Sequence, residues 1–177
     1  IVFDELVEKS KAVKMSILVP SVLDEKNVDR IVSEHNFIIS AYGPRFAAVD
    51  HWVNRAIHTT RTPALFCSVS TGKNILGPLV FPTETACHTC WQMRTLACEN
   101  NFAESIAYEE KIASYKSPVT PGPTEPTHLA SILAGMAFNE ILKCILALGL
   151  PELTDKTLEY DPFKTGWKAH SIIRRSD

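Results

Sequence analysis

Short apolar runs alternate with amphipathic stretches through the first half of the chain, and this alternation limits the fold more than any other feature. Runs at 16–19, 37–42 and 64–69 have the length and apolar content of strands. Segments at 24–33 and 46–57 repeat apolar residues at helical spacing. The resulting strand–helix–strand order predicts an α/β fold with a mostly parallel sheet and flanking helices.

The rest of the sequence adds an antiparallel hairpin and several helices. The turn around Gly72, between two apolar runs, predicts the hairpin. The further elements expected are helices over 3–14, 91–115 and 127–148, the last capped by Gly149, and strands over 75–81, 157–160 and 167–173. Residues 117–126 contain four prolines and one glycine, which predicts an extended crossover loop.

Size and charge exclude several classes of function. A chain of 177 residues is long enough for a single domain with its own core. The net charge is −2 and no long basic run is present, which argues against nucleic-acid binding. The N-terminal residues are acidic rather than basic and then apolar, unlike a signal peptide, so we expect a cytoplasmic protein. Asn139, Glu140 and Lys143 interrupt the apolar stretch 129–150, which favours a core helix over a membrane span.

Cys87 and Cys90 form the strongest chemical motif, C-x-x-C. Two thiolates at this spacing can bind one tetrahedral Zn²⁺, of which they supply two of four ligands. We therefore predict half of a structural zinc site at Cys87 and Cys90, with His88 free to face away. A redox dithiol and an incidental pair of core cysteines stay open as alternatives.

Other reactive residues form no recognisable catalytic set. Cys67, Cys98 and Cys144 stand in apolar contexts and are predicted to be buried and inert, Cys98 with the weakest support. Glu109 and Glu110 are predicted to lie on a solvated helix face. Surface or capping roles are predicted for the six histidines, His35, His51, His58, His88, His128 and His170. The phosphate-binding signature G-x-G-x-x-G is absent.

Several segments together resemble a known family. They are Asn54-Arg55-Ala56, the stretch from Gly77 to Cys90, Tyr160-Asp161-Pro162, and the run from His170 to Asp177. Their order resembles the ThiF/MoeB, ubiquitin-activating type of adenylating domain. The segment Gly77–Cys90 is similar to ThiF-like proteins of azole- and azoline-forming peptide clusters. The resemblance covers about residues 16–177.

The resemblance implies that 1–177 is a single ThiF-like domain, of Rossmann type, from a longer chain. It also implies a second C-x-x-C pair right after Asp177, which would supply the other two zinc ligands. Two departures argue against adenylation. The N-terminal βα unit with its glycine-rich loop is not in this sequence, and the stretch Tyr42-Gly43-Pro44-Arg45 lacks the carboxylate that active members place there to hold Mg²⁺.

The resemblance implies a non-catalytic scaffold subunit that presents a ribosomal precursor peptide to a YcaO-type cyclodehydratase. The YcaO partner would form the azoline rings, a flavin-dependent dehydrogenase would oxidise them, and the scaffold would be a homodimer. One alternative is an ATP-dependent adenylyltransferase of the ThiF/MoeB type that acts on a peptide or carrier-protein C-terminus. Another is a free-standing zinc-binding interaction domain.

Overall fold

The structure is a computed structural model, and it describes residues 14, 16–18, 24–42, 46–70, 73–114 and 126–175. Within these ranges the chain forms five helices and five strands. In chain order they are α1 (Glu25–Glu34), β1 (Ile38–Ser40), α2 (Ala47–Thr60), β2 (Ala64–Ser68), β3 (Asn74–Val80), α3 (His88–Leu96), α4 (Phe102–Ala113), α5 (Thr127–Leu146), β4 (Lys156–Asp161) and β5 (Gly166–Ser171).

The strands form one sheet in the order β1-β2-β3-β4-β5. β1 and β2 pair in parallel, with Ile38 opposite Ala64, as expected for strands joined by a helical crossover. β2–β3, β3–β4 and β4–β5 pair antiparallel, so the predicted hairpin is confirmed. The predicted α/β class is also confirmed, and parallel pairing in the described part is confined to β1 and β2.

Local sequence determines where the first two helices begin and end. The side chain of Asp24 caps α1 by accepting a hydrogen bond from the amide of Asn27 at 2.7 Å. α2 ends where Arg61 adopts the left-handed conformation, with φ of 59°, shortly before Pro63. Both helices therefore match the ranges that their apolar spacing predicts.

The sheet has a core on each face because alternate residues of β2 point in opposite directions. Ala64 and Phe66 pack with α1 and α2 in one cluster. Leu65 and Cys67 pack in the other cluster, with residues of β3 and with Ala137 of α5. The helices α3 and α4 lie on the α2 side, against α2 rather than against α5.

Helix α5 is the one helix in the described residues that is long and apolar enough to cross a membrane. It buries Leu129, Leu133 and Ala137, and it contacts β2 and β3. The carboxylate of Glu140 is also buried, and accepts hydrogen bonds from the backbone amides of Glu152 and Leu153. These contacts are those of a core helix.

Some predicted elements differ from the structure. Residues 16–18 do not form the predicted strand. Ile17 is 82% exposed, and no strand among the described residues pairs with it. β1 is shorter than the predicted run 37–42, because its pairing with β2 covers only three residues. Ala147, with φ of 52°, rather than Gly149, caps α5. Residues 3–13 of the predicted helix 3–14 and all but the last residue of the loop 117–126 lie outside the described residues.

Candidate functional site

The cysteine pair lies where the chain leaves β3 and enters α3. Thr85 holds this loop by accepting a hydrogen bond from a loop amide at 2.9 Å. Asp155 holds it from the side of β4 by accepting one from the amide of Ala86 at 2.6 Å. Cys87 is the N-cap residue of α3, and Cys90 lies in its first turn. The helix start thus brings both thiols together, as the C-x-x-C spacing predicts.

The geometry of the pair fits metal ligation. The two Sγ atoms are 3.6 Å apart, and two thiolates about 2.3 Å from a tetrahedral Zn²⁺ would be about 3.8 Å apart. The segment after β5 lies against the same pair. Ile172 packs with Cys90 and Ala86, and the amide of Arg175 donates a hydrogen bond to Sγ of Cys90 at 3.5 Å. Residues that follow β5 therefore reach the thiols.

The two thiols differ in acidity. Burial raises the pKa of Cys87. At Cys90 burial also acts to raise the pKa, but hydrogen bonds from the backbone of Arg175 and from Cys87 outweigh it, so the pKa is lowered. Because the thiolate is the form that binds metal, Cys90 is the thiol of the two that is more readily prepared to bind one.

No third ligand joins the pair in the part of the chain that the structure describes. That part contains no group of three or more His, Cys, Asp or Glu side chains that could hold a metal ion. The residues present could hold Zn²⁺ with two of the four ligands that a structural site uses. The assignment of zinc to Cys87 and Cys90 stays a prediction.

His88 faces away from the thiols into the interior. It is 4% exposed, and its ring stacks near those of Phe66 and Trp91, at 4.5 and 5.1 Å between centroids. Burial lowers its pKa to about 3, so the ring is neutral. The expectation of a surface or capping role for His88 is therefore wrong, because its position at the start of α3 directs the side chain onto β2.

A buried carboxyl lies at the end of β1, where the sequence indicated none. The Ser40 hydroxyl donates a hydrogen bond to Oδ1 of Asp50 at 2.5 Å. Burial raises the pKa of Asp50 to about 8, and the hydrogen bond from Ser40 offsets only part of this effect. Sequence analysis overlooked Asp50, although it falls on the helix stripe of Phe46 and Val53, where a polar residue is unusual.

A second polar cluster joins α2, α3 and α4. Nε2 of His51 lies 3.2 Å from Oε2 of Glu109, and Gln92 donates a hydrogen bond to the same oxygen at 3.1 Å. Glu109 and Glu110 were both predicted to lie on a solvated helix face, and for Glu109 this prediction is wrong. Only Glu110 is exposed, because the helix turn between adjacent residues directs Glu109 toward α2 and α3.

The remaining cysteines and histidines lie outside the cysteine pair and the polar clusters. Cys67 is buried, and burial raises its pKa to about 12, as expected for an inert thiol. Cys144 is half-buried, and Cys98 is exposed because α3 has already ended, so the prediction of burial is wrong for Cys98. Nδ1 of His35 lies 2.8 Å from a carbonyl of α1, a capping contact. His58, His128 and His170 are exposed.

The sequence matches the model of the ThiF family over residues 7–177. The chain belongs to the ThiF family. The match covers the sheet, all five helices and the cysteine pair. Comparison with curated protein sequences gives no significant match.

Three solved structures illustrate the similarity of the fold to known proteins. E. coli MccB with MccA is 15% identical, with a TM-score of 0.66 over 98% of this chain and 47% of MccB. A heterocyclase in complex with substrate and cofactor is 19% identical, with a TM-score of 0.63 over 98% of this chain and 26% of that chain. PaaA is 14% identical, with a TM-score of 0.58 over 86% of this chain and 47% of PaaA. The chain thus spans about half the length of MccB and PaaA. At these identities the likeness concerns the fold.

Proposed function

We propose that this chain is part of a non-catalytic scaffold subunit that presents a ribosomal precursor peptide to a YcaO-type cyclodehydratase. The partner forms thiazoline or oxazoline rings, and a flavin-dependent dehydrogenase oxidises them. Family membership and the likeness to a heterocyclase over 98% of the chain support a role in peptide modification. The protein would work in the cytoplasm.

The end of β1 is the single observation that most favours a scaffold over an adenylating enzyme. Residues 41–45 contain no carboxylate. The nearby carboxyl of Asp50 accepts a hydrogen bond from Ser40, and burial raises its pKa to about 8. At neutral pH it is mostly protonated, so it offers Mg²⁺ little of the charge that a nucleotide site needs. An adenylyltransferase is the alternative, supported by a similar fold in MccB solved with ATP.

In this proposal Cys87 and Cys90 hold a structural Zn²⁺ together with two ligands that follow Asp177 in the full-length protein. The metal would fasten the start of α3 to the end of the domain. The 3.6 Å spacing of the sulfurs and the contact of Arg175 with Cys90 support this arrangement. Zinc in such a position supplies folding energy and no chemistry.

We propose further that the subunit is a homodimer that packs through the outer face of α5. Ile132, Phe138 and Ile145 lie on that helix and are 40%, 59% and 41% exposed. Gly135 lies between them, and a Cβ there would meet no atom within 4 Å. An apolar stripe with an open glycine suits close approach of a second copy of the same helix.

Reconstitution of ring formation tests the scaffold role. Full-length protein is mixed with a YcaO-type enzyme, ATP and precursor peptide, and loss of water from the precursor is followed by mass spectrometry. We expect ring formation to depend on this subunit, while the subunit alone shows no ATP–pyrophosphate exchange. Measurable exchange by the purified subunit would favour the adenylyltransferase.

A further inference from the structure

The outer edge of the sheet at β5 is open. Among the described residues β5 is the last strand of the sheet, so it pairs on one side only, with β4. Its residues from Trp167 to Ser171 are all exposed. Bulges and prolines are among the features that protect edge strands. The register of β5 with β4 has no bulge and its sequence has no proline, so this regular edge is suited to the addition of another strand.

The backbone of β5 directs hydrogen-bonding groups away from the sheet along this edge. The amide of Ile172, the residue after β5, donates to the carbonyl of Asp155 on the side of β4 at 2.8 Å. In an antiparallel pair every second residue bonds to the neighbouring strand, and the residues between them point away from it. The residues of β5 that point away from β4 are Trp167, Ala169 and Ser171. Each offers one N–H and one C=O, and together they extend over about 14 Å.

The two faces of β5 differ in chemistry. Ala169 lies opposite Leu158, which packs in the cluster on the α5 side of the sheet. Trp167 shares this face, is 37% exposed, and stacks on Tyr160 with 4.8 Å between the ring centroids. Lys168 stands between Trp167 and Ala169 in the strand, so its side chain points to the opposite face. An added strand therefore meets an apolar surface on one face and a cation on the other.

The surroundings of β5 carry an excess of positive charge. Residues 162–175 include two lysines and two arginines, and neither aspartate nor glutamate. From β4, Oδ2 of Asp161 lies 3.5 Å from Nζ of Lys164, and Glu159 lies opposite Lys168. Two carboxylates of β4 thus face four cations along this edge. The excess favours an acidic occupant.

We propose that the open edge of β5 binds an extended peptide segment with alternating apolar and acidic residues, which pairs with β5 as an additional strand of the sheet. The peptide backbone bonds to the outward groups of Trp167, Ala169 and Ser171. Its apolar side chains lie beside Trp167, and its carboxylates lie beside Lys168. The inference rests on the proposed function only for the identity of the peptide, which is then a segment of the precursor.

Direct binding of peptides to the full-length protein tests this proposal without any partner enzyme. The probe is acetyl-Thr-Glu-Val-Glu-Val-Glu-Thr-amide, measured by isothermal titration calorimetry at low salt. One control peptide has lysine in place of every glutamate. A second has proline in place of both valines, which removes amides that strand pairing needs. Hydrogen exchange of residues 166–172 with and without the probe locates the bound peptide.

Two pairs of variants examine the edge itself. Ala169→Pro removes an outward amide and leaves the bonds to β4 in place, and Ala169→Val is its control because it keeps that amide. Lys168→Gln removes the cation beside the peptide carboxylates. Lys26→Gln, at an exposed position of α1, is the control for this loss of charge.

We expect the acidic probe to bind and to slow exchange over residues 166–172, and both control peptides to bind at least about tenfold more weakly. Ala169→Pro should weaken binding of the probe about tenfold and Lys168→Gln about threefold, while their controls bind like the wild type. No binding of the probe, equal binding of the three peptides, or equal binding by the two members of either variant pair would overturn the proposal. Ring formation plays no part in these measurements, so a failure of the scaffold role would leave their outcome unchanged.

Discussion

The hydroxyl of Ser40 at the end of β1 and the carboxyl of Asp50 in the first turn of α2 form a buried hydrogen bond of 2.5 Å. The bond joins the parallel strand to the helix that follows it. Burial raises the pKa of this carboxyl to about 8, so the folded protein keeps a proton there that an unfolded chain, with a pKa near 3.9, loses.

This difference makes stability depend on pH. The contribution of Asp50 is fully present below about pH 4 and is lost as pH rises through about 8. Asp50→Asn cannot ionise and keeps an oxygen to accept from Ser40. We expect its free energy of unfolding to fall less than that of the wild type between pH 5 and pH 8, by an amount on the order of a few kcal/mol. Urea unfolding at both pH values measures this.

Glu99→Gln, on the surface, is the control for Asp50→Asn and should behave like the wild type. If the free energy of unfolding of Asp50→Asn fell as much as that of the wild type between pH 5 and pH 8, the pKa assigned to Asp50 would be contradicted.

Metal removal should loosen the start of α3. We expect Cys87→Ser, or prolonged chelation of the full-length protein, to remove bound zinc and to increase hydrogen exchange over residues 82–98, because the metal would hold that segment. Elemental analysis gives the zinc content. The exposed Cys98 provides the matched control, since Cys98→Ser should keep its metal. Unchanged thermal stability after complete removal of metal would rule out a structural zinc.

Much of the fold could be predicted because periodic apolar residues decide it. α2 follows from Phe46, Val49 and Val53, and the hairpin follows from two apolar runs on either side of a turn. The strand predicted at 16–19 failed for another reason. Its residues have strand propensity, but a strand forms only beside a partner, and Ile17 has none among the described residues.

The cysteine pair could be predicted from sequence because its geometry is local, set by a three-residue separation. Asp50, His88 and Glu109 could not, because their roles depend on packing between elements far apart in the chain. His51 and Glu109 are 58 residues apart, and no local spacing connects them. A polar residue on an apolar helix stripe, as at Asp50, is the one signal that the sequence offered.

Glu140 should be the most sensitive polar residue of α5. Its carboxylate accepts from the amides of Glu152 and Leu153 at 2.7 and 3.2 Å and from Nζ of Lys143 at 2.5 Å. Glu140→Ala leaves both amides without an acceptor and should lower the free energy of unfolding by roughly 1–3 kcal/mol. Denaturant titration tests this. Glu152→Ala, at an exposed side chain, should cost less than about 0.5 kcal/mol, and equal losses in the two variants would be inconsistent with the buried network.

Two glycines should respond to alanine in opposite directions. Gly77 has a φ of +96°, and a Cβ there would lie 2.8 Å from the carbonyl oxygen of Lys156 in β4. Gly77→Ala should therefore destabilise the fold by about 1–3 kcal/mol. A Cβ at Gly135 in α5 would meet no atom of the same chain within 4 Å, so in the Phe138→Asp background, where the proposed dimer is disrupted, Gly135→Ala should stabilise the fold by up to about 1 kcal/mol. Thermal unfolding of the two variants checks both signs, and a stable Gly77→Ala protein would show that β3 and β4 pack less closely than described.

Leu133 lies on the buried face of α5, and Phe138 lies on its outer face. Leu133 is 2% exposed and Phe138 is 59% exposed. Leu133→Asp buries a charge without a partner, so we expect it to abolish soluble expression. Phe138→Asp places its charge at the surface and should fold normally, yet it should disrupt a dimer that packs through this face. Sedimentation analysis of the full-length protein should then show monomers for Phe138→Asp and dimers for the wild type. A dimer that survives Phe138→Asp would mean that the two copies meet elsewhere, whereas soluble Leu133→Asp protein would contradict the burial of this residue against the sheet.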